Sequence, residues 1–221
     1  MTDRLPMFPL SSVLFPGVTV PLRVFEDRYR ALVEHLLEVP DPVDRVFGSV
    51  AIREGYEVGE HGNQSLYRVG CRVQMTEVEA QPDGTYTLLG VALDRFELHG
   101  LDTSGPFPVG DVSTRPDGEG EEADGLADIA RAVFTGYRAA VSAIREDPYP
   151  EALPRDPAYL SWTLAAVAPL PMPDRQALLE ADDAATRLTL VCDLLRAELR
   201  AINVIPSLPA TEVARTRWSP N

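Results

Sequence analysis

Ten residues near the middle of the chain, 116–125 (PDGEGEEADG), hold five acids and three glycines, and the hydrophobic pattern changes on either side of them. Before this stretch, apolar residues come in short runs or alternate with polar ones, the two-residue period of a strand. After it, the period lengthens to that of a helix. A segment with so little to bury is expected to stay solvated, either as a flexible joint or as an acidic docking peptide. Strands first and helices second argue for an α+β fold and against a doubly wound sheet. The expected organisation is a β-rich subdomain over 1–115, an acidic linker over 116–125, a helical subdomain over 126–205 and a loose C-terminal tail over 206–221.

In the first half, strands are expected at 18–23 (VTVPLR), 46–52 (VFGSVAI), 66–79, 85–93 (TYTLLGVAL), 96–101 and 107–112. Pro82, Asp83 and Gly84 form a strong turn signal, so 66–93 reads as a long antiparallel hairpin. One helix interrupts the strands at 26–37, where Tyr29, Leu32, Val33, Leu36 and Leu37 fall on one side. Its early acids, Glu26 and Asp27, suit the positive end of the helix dipole. In the second half, Leu126, Ile129, Ala130, Val133, Phe134, Tyr137, Val141 and Ile144 make one helical stripe. Asp156 followed by Pro157 reads as an N-cap with proline in the first turn. Shorter and longer helices follow at 174–180 and 182–202, before Pro206 and Pro209.

Charge and composition exclude several functions. The 221 residues include 34 acids and 20 bases, a net charge of −14, with 17 acids and 10 bases in 1–115 and the same again in 116–221. Gripping a phosphate backbone needs clustered cations, so neither nucleic acid nor an anionic membrane is expected as a partner. Every one of the 20 basic residues is arginine. Without lysine there is no phosphate loop of the G-x-x-x-x-G-K-[ST] form, no Schiff base and no Ser–Lys dyad. Cys71 and Cys192 lie far apart in apolar surroundings and read as buried, reduced thiols in a cytosolic chain. Pro6, Pro9, Pro16 and Pro21 interrupt each apolar stretch near the N-terminus, so neither a signal peptide nor a membrane span is expected.

Catalytic constellations are equally scarce. His35, His61 and His99 are not spaced as ligand pairs, and no nucleophile elbow or dinucleotide fingerprint occurs. No metal and no cofactor is expected. The acid pairs Glu121/Glu122 and Asp182/Asp183 sit where solvation and helix capping account for them. Glu26, Arg28 and Tyr29 are the more informative group, within one helical turn and beside the apolar run that ends in Phe25. They read either as a helix-start ion pair with a core aromatic or as part of a binding surface.

The first thirty residues also carry a family pattern. LPMFPL at 5–10, VLFPG at 13–17 and PLRVFEDRY at 21–29 resemble the opening of the N-terminal substrate-recognition domain of Lon proteases, in the form seen in standalone bacterial members. YRVGC at 67–71, the turn at 82–84 and VALDRF at 91–96 are similar to later strands of that family. In the helical half, Asp174 to Gln176, Leu178 to Glu180, and Arg187 with Leu188 resemble its bundle, so the likeness covers about 4–203. The resemblance implies a twisted β-barrel-like subdomain with one helix, followed by a C-terminal helical bundle. It also implies a module that engages protein substrates. With neither an ATPase nor a Ser–Lys peptidase after residue 221, recognition without proteolysis is expected, and the chain is not expected to be an enzyme.

The expected partners are unfolded or damaged protein segments and, as a scaffold, a separately encoded ATP-dependent protease. Apolar surface in a groove between the subdomains would supply affinity, with Phe25, Glu26, Arg28 and Tyr29 near it and Arg95 as a charged partner. On that reading Tyr29→Ala weakens client capture while leaving the melting temperature nearly intact. The rival from another class, a small-molecule binder or cryptic hydrolase in the same cleft, would need converging polar groups that the sequence does not display.

Overall fold

In the computed structural model, which describes residues 2–53, 66–118, 120–142, 149 and 152–204, the strand-patterned half becomes six antiparallel strands. They are β1 (Asp3–Pro6), β2 (Thr19–Val24), β3 (Val46–Ile52), β4 (Leu66–Ala80), β5 (Tyr86–Asp102) and β6 (Val109–Arg115). Helix α1 (Asp27–Leu37) and a short 3-10 turn (Pro42–Asp44) lie between β2 and β3. The helical half forms α2 (Ala123–Ser142), α3 (Pro157–Val167), α4 (Met172–Glu180) and α5 (Ala184–Val204). The fold is α+β, and the chain divides into two compact units, Met1–Pro116 and Asp117–Asn221. Among the described residues, no helix is long and apolar enough to cross a membrane.

In the first unit the strands run in the order β1-β6-β5-β4-β3, with β2 paired to β5. The long strand β5 holds the sheet together, because its first half pairs with β2 and its second half with β6. The residues after β1 then join the two ends of this order. Met7 N–H donates to Pro108 O at 2.9 Å, next to β6, while Phe8 N–H donates to Gly48 O at 2.8 Å and Leu10 N–H to Val50 O at 3.0 Å, on β3. This strap closes the sheet in the barrel-like manner expected. It fits closely because Gly48 has no side chain, since a Cβ there would stand 2.6 Å from Met7 Sδ. Leu5, Met7, Val50, Leu66, Phe96, Leu98 and Val112 form the enclosed core.

Local chemistry explains the turns. Pro16 and Gly17 occupy the middle of a turn closed by Val18 N–H to Phe15 O at 3.1 Å, and Gly17 has φ +83°. That is the Pro-Gly pattern of a type II turn, which requires positive φ at its third residue. At the β4–β5 turn, Asp83 Oδ1 accepts from both the backbone and the hydroxyl of Thr85, at 3.0 and 2.6 Å.

Several details depart from the sequence reading. β1 was not expected, since it is only four residues long and ends on a proline. The separate strands expected at 85–93 and 96–101 are one strand of 17 residues. A register shift against Cys71 and Val73 lets it bend without ending. Leu37 is 37% exposed and not part of the α1 inner face, and Ile129 is exposed on α2. Ile144, His61 and the expected tail at 206–221 lie outside the described residues.

The acidic segment is more ordered than its composition suggests. α2 already begins at Ala123. Ala184 N–H donates to Gly118 O at 2.9 Å. Asp117 accepts from Arg187 Nη2 at 2.6 Å and from Trp162 Nε1 at 3.1 Å. Arg187 is fully buried, donates also to Ser161 Oγ at 2.6 Å, and lies over the Trp162 ring at 3.1 Å. A buried guanidinium requires a carboxylate, and the segment supplies it. α2 and α3 pack on α5, with Phe134, Tyr137, Leu160, Leu164, Leu188 and Val191 buried.

Candidate functional site

The junction of β2 and α1 sets the site. Glu26 is the N-cap residue of α1 and has extended backbone, but its side chain makes no capping bond. Arg28 takes that carboxylate, with Nε and Nη2 both donating to Oε2 at 3.0 and 2.6 Å. The Arg28 guanidinium also lies 4.6 Å from the centre of the Tyr29 ring. Tyr29 stacks on Phe8 at 4.1 Å with the planes 11° apart, and Phe8 meets Phe47 at 6.0 Å. The series of ion pair, cation–π contact and stacked rings fixes each side chain through its neighbour. Burial pushes the Tyr29 phenol above the ordinary tyrosine range, with the Arg28 charge opposing and the Glu26 charge adding to the rise.

Phe8, Phe25, Glu26, Arg28 and Tyr29 line a cleft of about 480 Å³ together with Pro9, Leu10, Ser11, Leu22, Arg23, Val24 and Ile52. Every lining residue belongs to the first unit. Tyr29 and Phe8 are buried in its floor, at 4% and 6% exposure, whereas Phe25 is 64% exposed beside them. Phe25 adds an exposed aromatic ring to the lining of this cleft, and concave sites lined largely by apolar side chains are where ligands bind. The only opposite charges paired within the lining are Glu26 and Arg28; Arg23 pairs outward with Asp83 at 3.3 Å. The arrangement suits holding an apolar group more than proton transfer.

Four of the five expected site residues, Phe25, Glu26, Arg28 and Tyr29, therefore meet in one cleft. Arg95 does not line it. Arg95 is 1% exposed in β5 and its Nη2 donates to Pro116 O at 2.8 Å, where it braces the chain leaving β6. Arg95 and Phe96 pair in unbroken register with Cys71 and Gly70, so they face opposite sides of the sheet, and both are buried because β5 is covered on both faces there. Phe8, Leu10 and Ile52 were not singled out from sequence. The LPMFPL motif was the available signal for the first two, but nothing local tells which face of a proline-broken segment is buried.

Candidate chemistry elsewhere is sparse. The ring of His35 packs 5.0 Å from Phe107, and His99 Nε2 lies 2.8 Å from Ser113 Oγ. Among the described residues, no three His, Cys, Asp or Glu side chains cluster as metal ligands would. Cys71 and Cys192 are free and buried, and burial raises both thiols, with Cys71 donating to Leu14 O at 3.4 Å. Such thiols are poor nucleophiles at neutral pH.

Comparison with known proteins gives a consistent family. The model for the ATP-dependent protease La (LON) substrate-binding domain matches residues 4–197. Lon protease 2 of Herpetosiphon aurantiacus is 30% identical over 92% of this chain, and Lon protease of Escherichia coli K12 is 28% identical over 91%. The chain spans about a quarter of the length of these relatives, 25% and 26% respectively. Among solved structures, the Lon N-terminal domain protein from Xanthomonas campestris matches with a TM-score of 0.62 and 27% identity, covering 86% of this chain and 98% of that one. The N-terminal domain of Mycobacterium avium complex Lon protease shares the fold, with a TM-score of 0.66 at 17% identity over 88% of this chain and 98% of that one.

Proposed function

The chain belongs to the ATP-dependent protease La (LON) substrate-binding domain family, and from that premise we propose that its first unit holds unfolded or damaged polypeptide segments in the cleft beside Phe25. The observation that carries the reading is the 64% exposure of Phe25 over a floor of Phe8 and Tyr29. Folded proteins bury most of their aromatic surface, so an unfolded segment offers the apolar side chains that a native one hides. The module acts by holding. With only arginine among its basic residues, it has no lysine for the Ser–Lys dyad that the sequence resemblance brings into question. Its relatives are named Lon proteases, and the proposal includes delivery of the held segment to an ATP-dependent protease. The net charge of −14 speaks against nucleic acid as a competing ligand.

The test is a fluorescence anisotropy titration with a labelled protein that has been reduced and carboxymethylated, set beside its native form. The wild-type chain is expected to bind the unfolded probe and to ignore the native one. Phe25→Ala is expected to weaken binding by about tenfold, roughly the effect of removing one aromatic anchor. Equal affinity of wild type and Phe25→Ala contradicts the assignment of the cleft.

A further inference from the structure

Among the described residues β2 has a partner on one side only: it pairs with β5, and no main-chain bond runs from Thr19, Pro21 or Arg23 to another segment. β1 and β3, at the ends of the strand order, are instead joined through the strap. An open edge beside a cleft that holds polypeptide is a template for strand addition, and a client held that way would gain a ladder of main-chain bonds.

The register shows how this edge is blunted. Ala92 N–H donates to Val18 O at 2.9 Å. Antiparallel residues alternate between facing the partner strand and facing away. Following Val20↔Gly90, Leu22↔Leu88 and Val24↔Tyr86, the even positions turn their polar groups to β5. Thr19, Pro21 and Arg23 turn theirs outward. Pro21 therefore stands at the centre of the open edge, where it has no N–H to offer. Of the two other outward positions, Arg23 carries a charge and pairs with Asp83 at 3.3 Å.

Resting on the binding reading above, we infer that Pro21 sets the mode of recognition: the cleft takes a client by its apolar side chains, and the proline-blocked β2 edge prevents capture by β-strand addition. A client held by side chains alone does not depend on its backbone register and leaves without unzipping a sheet. The same block keeps two copies of the chain from pairing edge to edge.

The experiment uses the full chain and three short fluorescein-labelled peptides of glycine, serine and arginine. The first carries two phenylalanines, the second is the same peptide with alternate backbone amides N-methylated, and the third has both phenylalanines replaced by alanine. For the wild type, N-methylation is expected to change affinity by less than about twofold, while loss of the phenylalanines lowers it by about tenfold or more. Pro21→Val restores the missing N–H without removing a cleft side chain. It is expected to bind the first peptide several-fold more tightly than the methylated one, or to self-associate in sedimentation, while melting no lower than the wild type. If methylation weakens wild-type binding as much as loss of phenylalanine does, the client adds as a strand and the inference falls while the binding reading stands. If Pro21→Val matches the wild type in both assays, Pro21 does not guard the edge. If the wild type binds none of the peptides, the binding reading falls and takes this inference with it.

Discussion

At the residue scale, Phe25 and Tyr29 are separated by four positions and by opposite physical roles. Tyr29 is 4% exposed and stacked on Phe8 at 4.1 Å, so its truncation opens a cavity in the floor of the cleft. Tyr29→Ala is expected to cost about 3 kcal/mol in chemical denaturation, which replaces the sequence expectation of an intact melting temperature. Phe25→Ala removes an exposed ring and is expected to change stability by less than about 0.5 kcal/mol while weakening client binding. A large stability loss in Phe25→Ala, or none in Tyr29→Ala, contradicts this division. Both residues were legible in the sequence as a group, because the PLRVFEDRY motif and the helical period place them together. Which of them faces water was not, because that depends on Phe8, about twenty positions earlier, arriving through the strap. Arg95 shows the same limit, since β5 is buried on both faces at that point, which its own alternation does not tell.

At the element scale, three aspartates hold turns and a helix start. Hydrogen bonds lower their pKa below the ordinary value of 3.8: from the Thr85 hydroxyl and then its backbone for Asp83, from the Ser104 hydroxyl and then its backbone for Asp102, and from the Thr186 backbone and then its hydroxyl for Asp183. The sign follows directly. As pH falls, the unfolded chain binds protons before the folded one, so this stability is present above about pH 4 and is lost as pH falls through the lowered values. Melting temperature is expected to drop between pH 5 and pH 3, and the drop should be shallower in the triple Asp→Asn variant. An identical slope in that variant removes these groups from the account. The second unit offers a stronger test. Asp117→Ala removes the carboxylate 2.6 Å from buried Arg187 and is expected to cost about 3 kcal/mol, whereas Asp117→Ala with Arg187→Met should cost less than Asp117→Ala alone. Equal costs would show that the pair is not coupled. Most strands and helices were readable from period and turn residues. The ordering of 117–118 was not, because a carboxylate in a glycine-rich acidic run looks solvated until a buried arginine 70 positions away is known.

At the scale of the whole molecule, the chain divides into two compact units at Pro116/Asp117, in the stretch where the hydrophobic period of the sequence changes. The family was legible in the motifs of the first thirty residues, and the match over 4–197 establishes it. The excess of acids is shared by both halves, so it bears on partner choice without marking a site. What remained illegible was the location of the cleft, which draws on the strap, the end of β2, the start of α1 and the end of β3, segments brought together only by closure of the sheet. The most direct measurement is therefore a residue-resolved one: amide chemical shifts of the isotope-labelled full chain, titrated with the phenylalanine-bearing peptide. Shifts should concentrate at Leu10, Ser11, Leu22 to Tyr29 and Ile52. Shifts confined to the helical unit, or none at saturating peptide, would contradict the claim that this cleft holds the client.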